Sequence, residues 1–225
     1  LVIPLIGAVL VMAGPVALAK RLALAVTLVE LIVSLGLWLL FDPAREGMQF
    51  QYLTPWVGAY GINYHVGIDG IALMMVLLST ILMPLAVLGS WEGITTRERG
   101  FYGMLLLLTT GMLGVFMALD LFLFYMLWEL MLIPMYFIIG LWGGKDRLYA
   151  SLKFFVYTMI GSLLMLVAIL YIYFAAGRNG GELRYPLCVG LALQSVEIGI
   201  RRAPAVHAQP LPARRLGLLL GFIQA

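Results

Sequence analysis

Two carboxylates stand where a carboxylate is costly. Glu129 lies near the middle of residues 119–143, LDLFLFYMLWELMLIPMYFIIGLWG, in which only Asp120 and Glu129 ionise, and Glu30 lies in the middle of an earlier apolar run. A hydrocarbon core about 30 Å thick takes roughly 20 helical residues, which puts Glu129 near mid-membrane. An ionised carboxylate at that depth costs about 2.5 to 3.5 kcal/mol on insertion scales, so it is kept only with a partner, with water, or by taking up a proton. The chemistry this offers is reversible proton binding. Apolar surroundings favour the protonated acid and a nearby ammonium favours the carboxylate, so a lysine that approaches or retreats releases or loads a proton.

The surroundings of Glu129 fit that chemistry. Helical spacing places Phe122, Tyr125, Leu132, Ile133 and Tyr136 on or beside its face, and two of these carry phenol hydroxyls. Pro134 has no N–H, so the Leu130 carbonyl loses its usual donor and a kink is predicted just after the carboxylate. Acid and kink together predict a hydrated site. The rival reading is a permanently protonated Glu129 bonded between helices. For Glu30 two readings stand side by side: a packing-protected carboxyl, protonated or bonded to a neighbouring helix, or a transport role.

The elements that hold these residues are read from composition. Of 225 residues, 63% are hydrophobic and 11% charged, with mean hydropathy +1.03, which a water-soluble globule cannot enclose. The fold class is all-α, a polytopic membrane helix bundle. Apolar runs at 1–19, 22–41, 71–89, 101–118, 119–142 and 151–175 predict six transmembrane helices, with a very tight turn at Asp120. Lys20, Arg21, Arg97, Arg99, Lys145, Arg147 and Lys153 flank alternate connections and only Arg45 occupies the others. The positive-inside rule then puts the N-terminus outside. Net charge is +3, but the basic residues lie between apolar runs, which speaks for topology and against nucleic-acid binding. Cys188, His65 and His207 make no CxxC, cluster spacing or haem pair, so no cofactor or metal is expected on this chain.

The connection 42–70 carries Pro43, Tyr52, Pro55, Trp56, Tyr60 and Tyr64 and reads as an interfacial segment with an aromatic belt. At its end His65 and Asp69, four apart, pair if the segment is already helical; otherwise Asp69 caps a helix start.

The wording of the fifth run is specific. Residues 128–143, WELMLIPMYFIIGLWG, followed by Lys153-Phe154-Phe155-Val156-Tyr157-Thr158, resemble the fifth and sixth helices of the antiporter-like membrane subunits of respiratory complex I, NADH:quinone oxidoreductase. The match is to the M type, whose mitochondrial counterpart is subunit 4. The related L and N types and the cation/proton antiporters fit less well. The resemblance implies a proton-translocating subunit of the membrane arm, with other antiporter-like chains as partners and NADH, FMN, iron–sulfur clusters and quinone on partner subunits. It implies the bacterial inner membrane, with the mitochondrial inner membrane as the second choice. Glu129 matches the family's essential fifth-helix glutamate. Lys153 matches the KFF-YT position, either as an anchor snorkelling to headgroups or on a proton path. Tyr157 and Thr158 supply hydroxyls to a water chain or to packing bonds, and Gly161 and Ser162 read as close-packing positions.

The resemblance stops at about residue 175. Residues 176–225 hold six arginines, no lysine and two aromatics, and residues 201–215 are too polar to span. The expectation is a premature or frame-disrupted C-terminus, against a solvated basic tail. The chain also opens at Leu1 without Met, as a fragment would. The family's partner lysines lie on later helices, so residues 1–175 carry half of a proton channel. Three functions follow: a complex I subunit, an antiporter subunit, or a catalytically silent scaffold. Intact mass from membranes tests the tail: 24.8 kDa with peptides from 178–215 makes it genuine, and a heavier chain lacking them makes it a frame artefact.

Overall fold

The computed structural model describes residues 1–45, 47–57 and 62–177; the expected tail lies outside them. The helices are α1 (Val2–Ala13), α2 (Val16–Leu40), α3 (Gly70–Gly89), α4 (Glu98–Met117), α5 (Leu121–Trp142) and α6 (Arg147–Gly177). Five of them, all but α1, are long and apolar enough to cross a membrane. Outward-facing Ile32, Leu39, Ile71, Leu85, Leu164 and Val167 leave apolar surface that water would not tolerate. The chain is a polytopic membrane protein.

The first boundary differs from the expected 1–19 and 22–41. It falls at Gly14–Pro15, because proline lacks an N–H and pushes the preceding residue out of helical geometry; Gly14 is extended at φ −76°, ψ 175°. Lys20 and Arg21 therefore lie inside α2. Lys20 folds onto the α3–α4 connection, with Nζ 3.1 Å from Glu98 Oε1 and donating to the Trp91 carbonyl at 2.8 Å. Arg99 reaches the Gly14 carbonyl at 3.1 Å. The basic connections thus gather at one end of the bundle, though Lys153 belongs to α6 itself, as does Arg147.

The segment 42–70 is more than an interfacial loop. Strands β1 (Gln49–Val57) and β2 (Ile62–Ile68) pair antiparallel, with Tyr52 opposite Val66 and Thr54 opposite Tyr64. Their aromatic and β-branched residues favour strands. The hairpin adds a small sheet to the helical bundle. Burial, reinforced by Tyr52, pushes the Tyr64 phenol above its ordinary pKa. Gln49 closes the approach to the hairpin, donating to the Asp42 carbonyl at 2.6 Å and accepting from its N–H at 3.1 Å. His65 is in β2, so the helical pair with Asp69 does not form; Asp69 caps α3 by accepting from the Ala72 N–H at 2.7 Å.

Helix α4 is the axle, packed against α1, α2, α3 and α5. Its glycines are the notches. A Cβ on Gly111 would lie 2.5 Å from Met131 Cγ, and one on Gly114 would lie 2.8 Å from Leu127 Cδ1, both on α5. Trp142, at the far end of α5, donates to the Thr96 carbonyl at 2.8 Å and meets the Phe101 ring at 5.4 Å. We expect Gly111→Val to destabilise the bundle by about 1 to 3 kcal/mol through overpacking, read as a lower unfolding midpoint in detergent. Gly36→Val, where nothing lies within 4 Å, serves as the comparison and should leave the midpoint in place.

Candidate functional site

The candidate site is built on α5, and Asp120 starts that helix. Its Oδ1 accepts from Phe122 N–H at 2.9 Å and Leu123 N–H at 3.1 Å, while Oδ2 accepts from the Asn63 N–H of β2 at 3.2 Å. The Leu119 N–H donates to the His65 carbonyl at 2.8 Å, and Ala118 bridges Val66. Gly67 allows this approach, since a Cβ there would lie 2.7 Å from Leu119 Cδ1. Three residues suffice for the turn because the hairpin satisfies their backbone.

From that cap Glu129 is nine residues along a 22-residue helix, near its middle. Leu127 and Met131, two residues to either side, are the side chains seated at the α4 glycines. Those contacts fix the depth and rotation of Glu129. Its Oε1 is buried and has no hydrogen-bond partner among the described residues. The Tyr125 hydroxyl, one turn earlier and buried, acts on the carboxylate. Leu132 is also buried, whereas Ile133 is 48% exposed and faces out of the bundle. Pro134 is buried inside α5, which continues past it to Trp142, and its missing N–H leaves the Leu130 carbonyl without that donor.

The sixth-helix candidates divide. Tyr136 reaches α6 through its ring, 5.5 Å from Phe155 in an edge contact. Lys153 is exposed, with Nζ 5.8 Å over the Tyr149 ring, one turn earlier on the same helix. Tyr157 is 82% exposed, outside the bundle. Thr158 bonds back to its own helix, at 2.7 Å to the Phe154 carbonyl and 3.1 Å to the Phe155 carbonyl. Ser162 is buried, but Gly161 has open space at its Cβ position and is not a close-packing residue. Glu30 is buried on α2, whose neighbours are α1, α3 and α4, so it does not join this site.

Sequence reasoning treated Asp120 only as a boundary and passed over the α4 glycines. The spacing Gly111-x-x-Gly114 facing an apolar helix was the available signal. Among the described residues no three of His, Cys, Asp and Glu come together as a metal site.

Comparison with known proteins covers both halves of the described chain. The family described as NADH-ubiquinone oxidoreductase chain 4, amino terminus, matches residues 5–117. The family described as NADH:quinone oxidoreductase/Mrp antiporter, TM, matches residues 118–185. NADH-quinone oxidoreductase subunit M of Rhodobacter capsulatus is 48% identical over 161 residues, covering 72% of this chain and 31% of that protein. F(420)H(2) dehydrogenase subunit M of Methanosarcina mazei is 39% identical over 166 residues, covering 72% of this chain and 34% of that protein. A chain of respiratory complex I from Thermus thermophilus, solved with bound NADH, superposes with TM-score 0.68 at 26% identity, covering 78% of this chain and 35% of that chain. The chain thus spans about a third of the length of the curated relatives it matches.

The shared cap generates a prediction. Asp120→Ala should cost about 0.5 to 2 kcal/mol, the usual range for losing an N-cap. Hydrogen exchange should then quicken at the first turn of α5 and at Asn63 together, while Asp120→Asn should largely preserve both.

Proposed function

Since the chain belongs to the family of chain 4, or M-type, membrane subunits of NADH:quinone oxidoreductase, we propose that it is the N-terminal part of a proton-translocating subunit of the membrane arm, with Glu129 as the proton carrier. One observation carries the reading: a mid-span carboxylate whose Oε1 is buried and has no partner among the described residues. A permanently protonated structural acid would be expected to bond both oxygens across a helix interface. An acid with one oxygen free has room for water or for an approaching ammonium.

Tyr125 steadies the carboxylate, and Pro134 leaves a bare carbonyl one residue beyond it on which water can hydrogen-bond. We assign Lys153 to anchoring, because its ammonium lies over an exposed ring rather than against Glu129. Tyr157 and Thr158 are left with surface and packing roles. No cofactor is assigned to this chain: NADH, FMN, iron–sulfur clusters and quinone belong to partner subunits, and the direct neighbours are L-type and N-type antiporter-like chains. The location proposed is the bacterial inner membrane with the N-terminus outside, which puts the Lys20–Glu98 end on the cytoplasmic side.

The test is Glu129→Gln in the full-length protein within its assembled complex. Proton translocation should fall to background and Glu129→Asp should keep part of it. Unchanged translocation would leave a silent scaffold as the better description. A preparation that pumps but carries no NADH-dependent quinone reductase would favour the antiporter reading.

A further inference from the structure

The second mid-membrane carboxylate is also enclosed by the bundle. Glu30 is 6% exposed and belongs to the covered stripe of α2, with Ala19, Ala23, Thr27 and Ser34. Its Oε2 is buried with no hydrogen-bond partner among the described residues. Depth is set by the Lys20 contacts with Glu98 and Trp91. Glu30 is ten residues from Lys20 along α2, and Thr109 is eleven from Glu98 along α4. At 1.5 Å per residue both lie about 15 Å into the bundle, and Ser34, one turn deeper than Glu30, meets Thr80 of α3.

The Ser34 and Thr80 hydroxyls are short of hydrogens. Ser34 Oγ lies 2.7 Å from Thr80 Oγ1, Ser34 Oγ also lies 2.8 Å from the Leu31 carbonyl, and Thr80 Oγ1 lies 3.0 Å from the Leu77 carbonyl. Each hydroxyl has one hydrogen to donate, so two hydrogens serve three contacts. The pair therefore has two arrangements and accepts a further hydrogen from outside without losing a contact. Ser34 is one turn from Glu30 on the same covered face. Thr27 and Thr109 add buried hydroxyls whose hydrogens go to the Leu24 and Leu105 carbonyls.

Few charges compete there. Helix α1, which packs against α2, carries no titratable side chain. Helix α3 has no titratable side chain, and those of α4, Glu98, Arg99 and Tyr102, lie at the Lys20 end. We propose that Glu30, Ser34 and Thr80 form a second proton-binding site, between α2 and α3, that takes up water and holds an exchangeable proton independently of Glu129. Uptake converts the carboxylate to the acid as hydronium becomes water, and the acid hydrogen finds its acceptor in the hydroxyl pair.

Infrared difference spectroscopy on acidification tests this, using the full chain in liposomes in a Glu129→Gln background. A carboxylic-acid carbonyl band should grow as pH falls, disappear in Glu30→Gln, and shift in frequency in Thr80→Val. Thr80→Ser, which keeps the hydroxyl, should restore the original band and shows that the shift is not misfolding. A band absent at every pH would mean that Glu30 stays ionised, and a band untouched by Glu30→Gln would mean that another acid titrates. Either outcome, or a band indifferent to Thr80→Val, overturns the proposal.

Discussion

Inside a bilayer a polar atom has no solvent to fall back on, and that constraint accounts for most of what this chain does with its few polar groups. Mid-helix hydroxyls turn back onto their own helices, as Thr109, Thr110, Thr158 and Ser162 do. Asp69 and Asp120 satisfy the opening turns of α3 and α5. The three-residue α4–α5 turn borrows its hydrogen bonds from β2. Against that background one oxygen of Glu30 and one of Glu129 stand apart, each buried with no hydrogen-bond partner among the described residues. Both are carboxylate oxygens on helices of membrane-spanning length.

Packing then decides where those atoms sit. Without a hydrophobic force to separate protein from lipid tails, helices associate by shape, and small residues let them come close. Met131 and Leu127 seat at Gly111 and Gly114 of α4, while Met12 of α1 crowds Gly103. The central helix thereby positions α1 and α5 with the same kind of notch. The semi-exposed Lys20–Glu98 contact does the equivalent work for α2, and it gains from the added bond to the Trp91 carbonyl.

Much of this was legible in the sequence, because the lengths of apolar runs and the rarity of charges within them report directly on the membrane. The helices after the first, the tight turn at Asp120 and the mid-helix place of Glu129 all follow from counting. What escaped was orientation. A helix that is apolar all round does not say which face is covered, so the outward placement of Ile133, Tyr157 and Lys153 and the open space at Gly161 had no sequence signal. The hairpin escaped because Pro55 interrupts its alternation and its pairing is made across the chain. The Gly14–Pro15 break was readable, but the neighbouring Lys20–Arg21 pair drew the boundary to itself.

The α4–α5 pair is fastened in three places: the 118–120 turn held by β2, the glycine notches at mid-helix, and Trp142 bonded to the Thr96 carbonyl and stacked edge-on against Phe101. Two rods pinned at both ends and toothed in the middle move as a single plank. Sliding or twisting of α5 relative to α4 would break these fastenings, whereas α6 meets α5 at the Tyr136–Phe155 edge and where Ser151 lies against Gly140. Rotation of the Glu129 side chain would change its surroundings with all three fastenings intact. The plank is the rigid mount that carries Glu129.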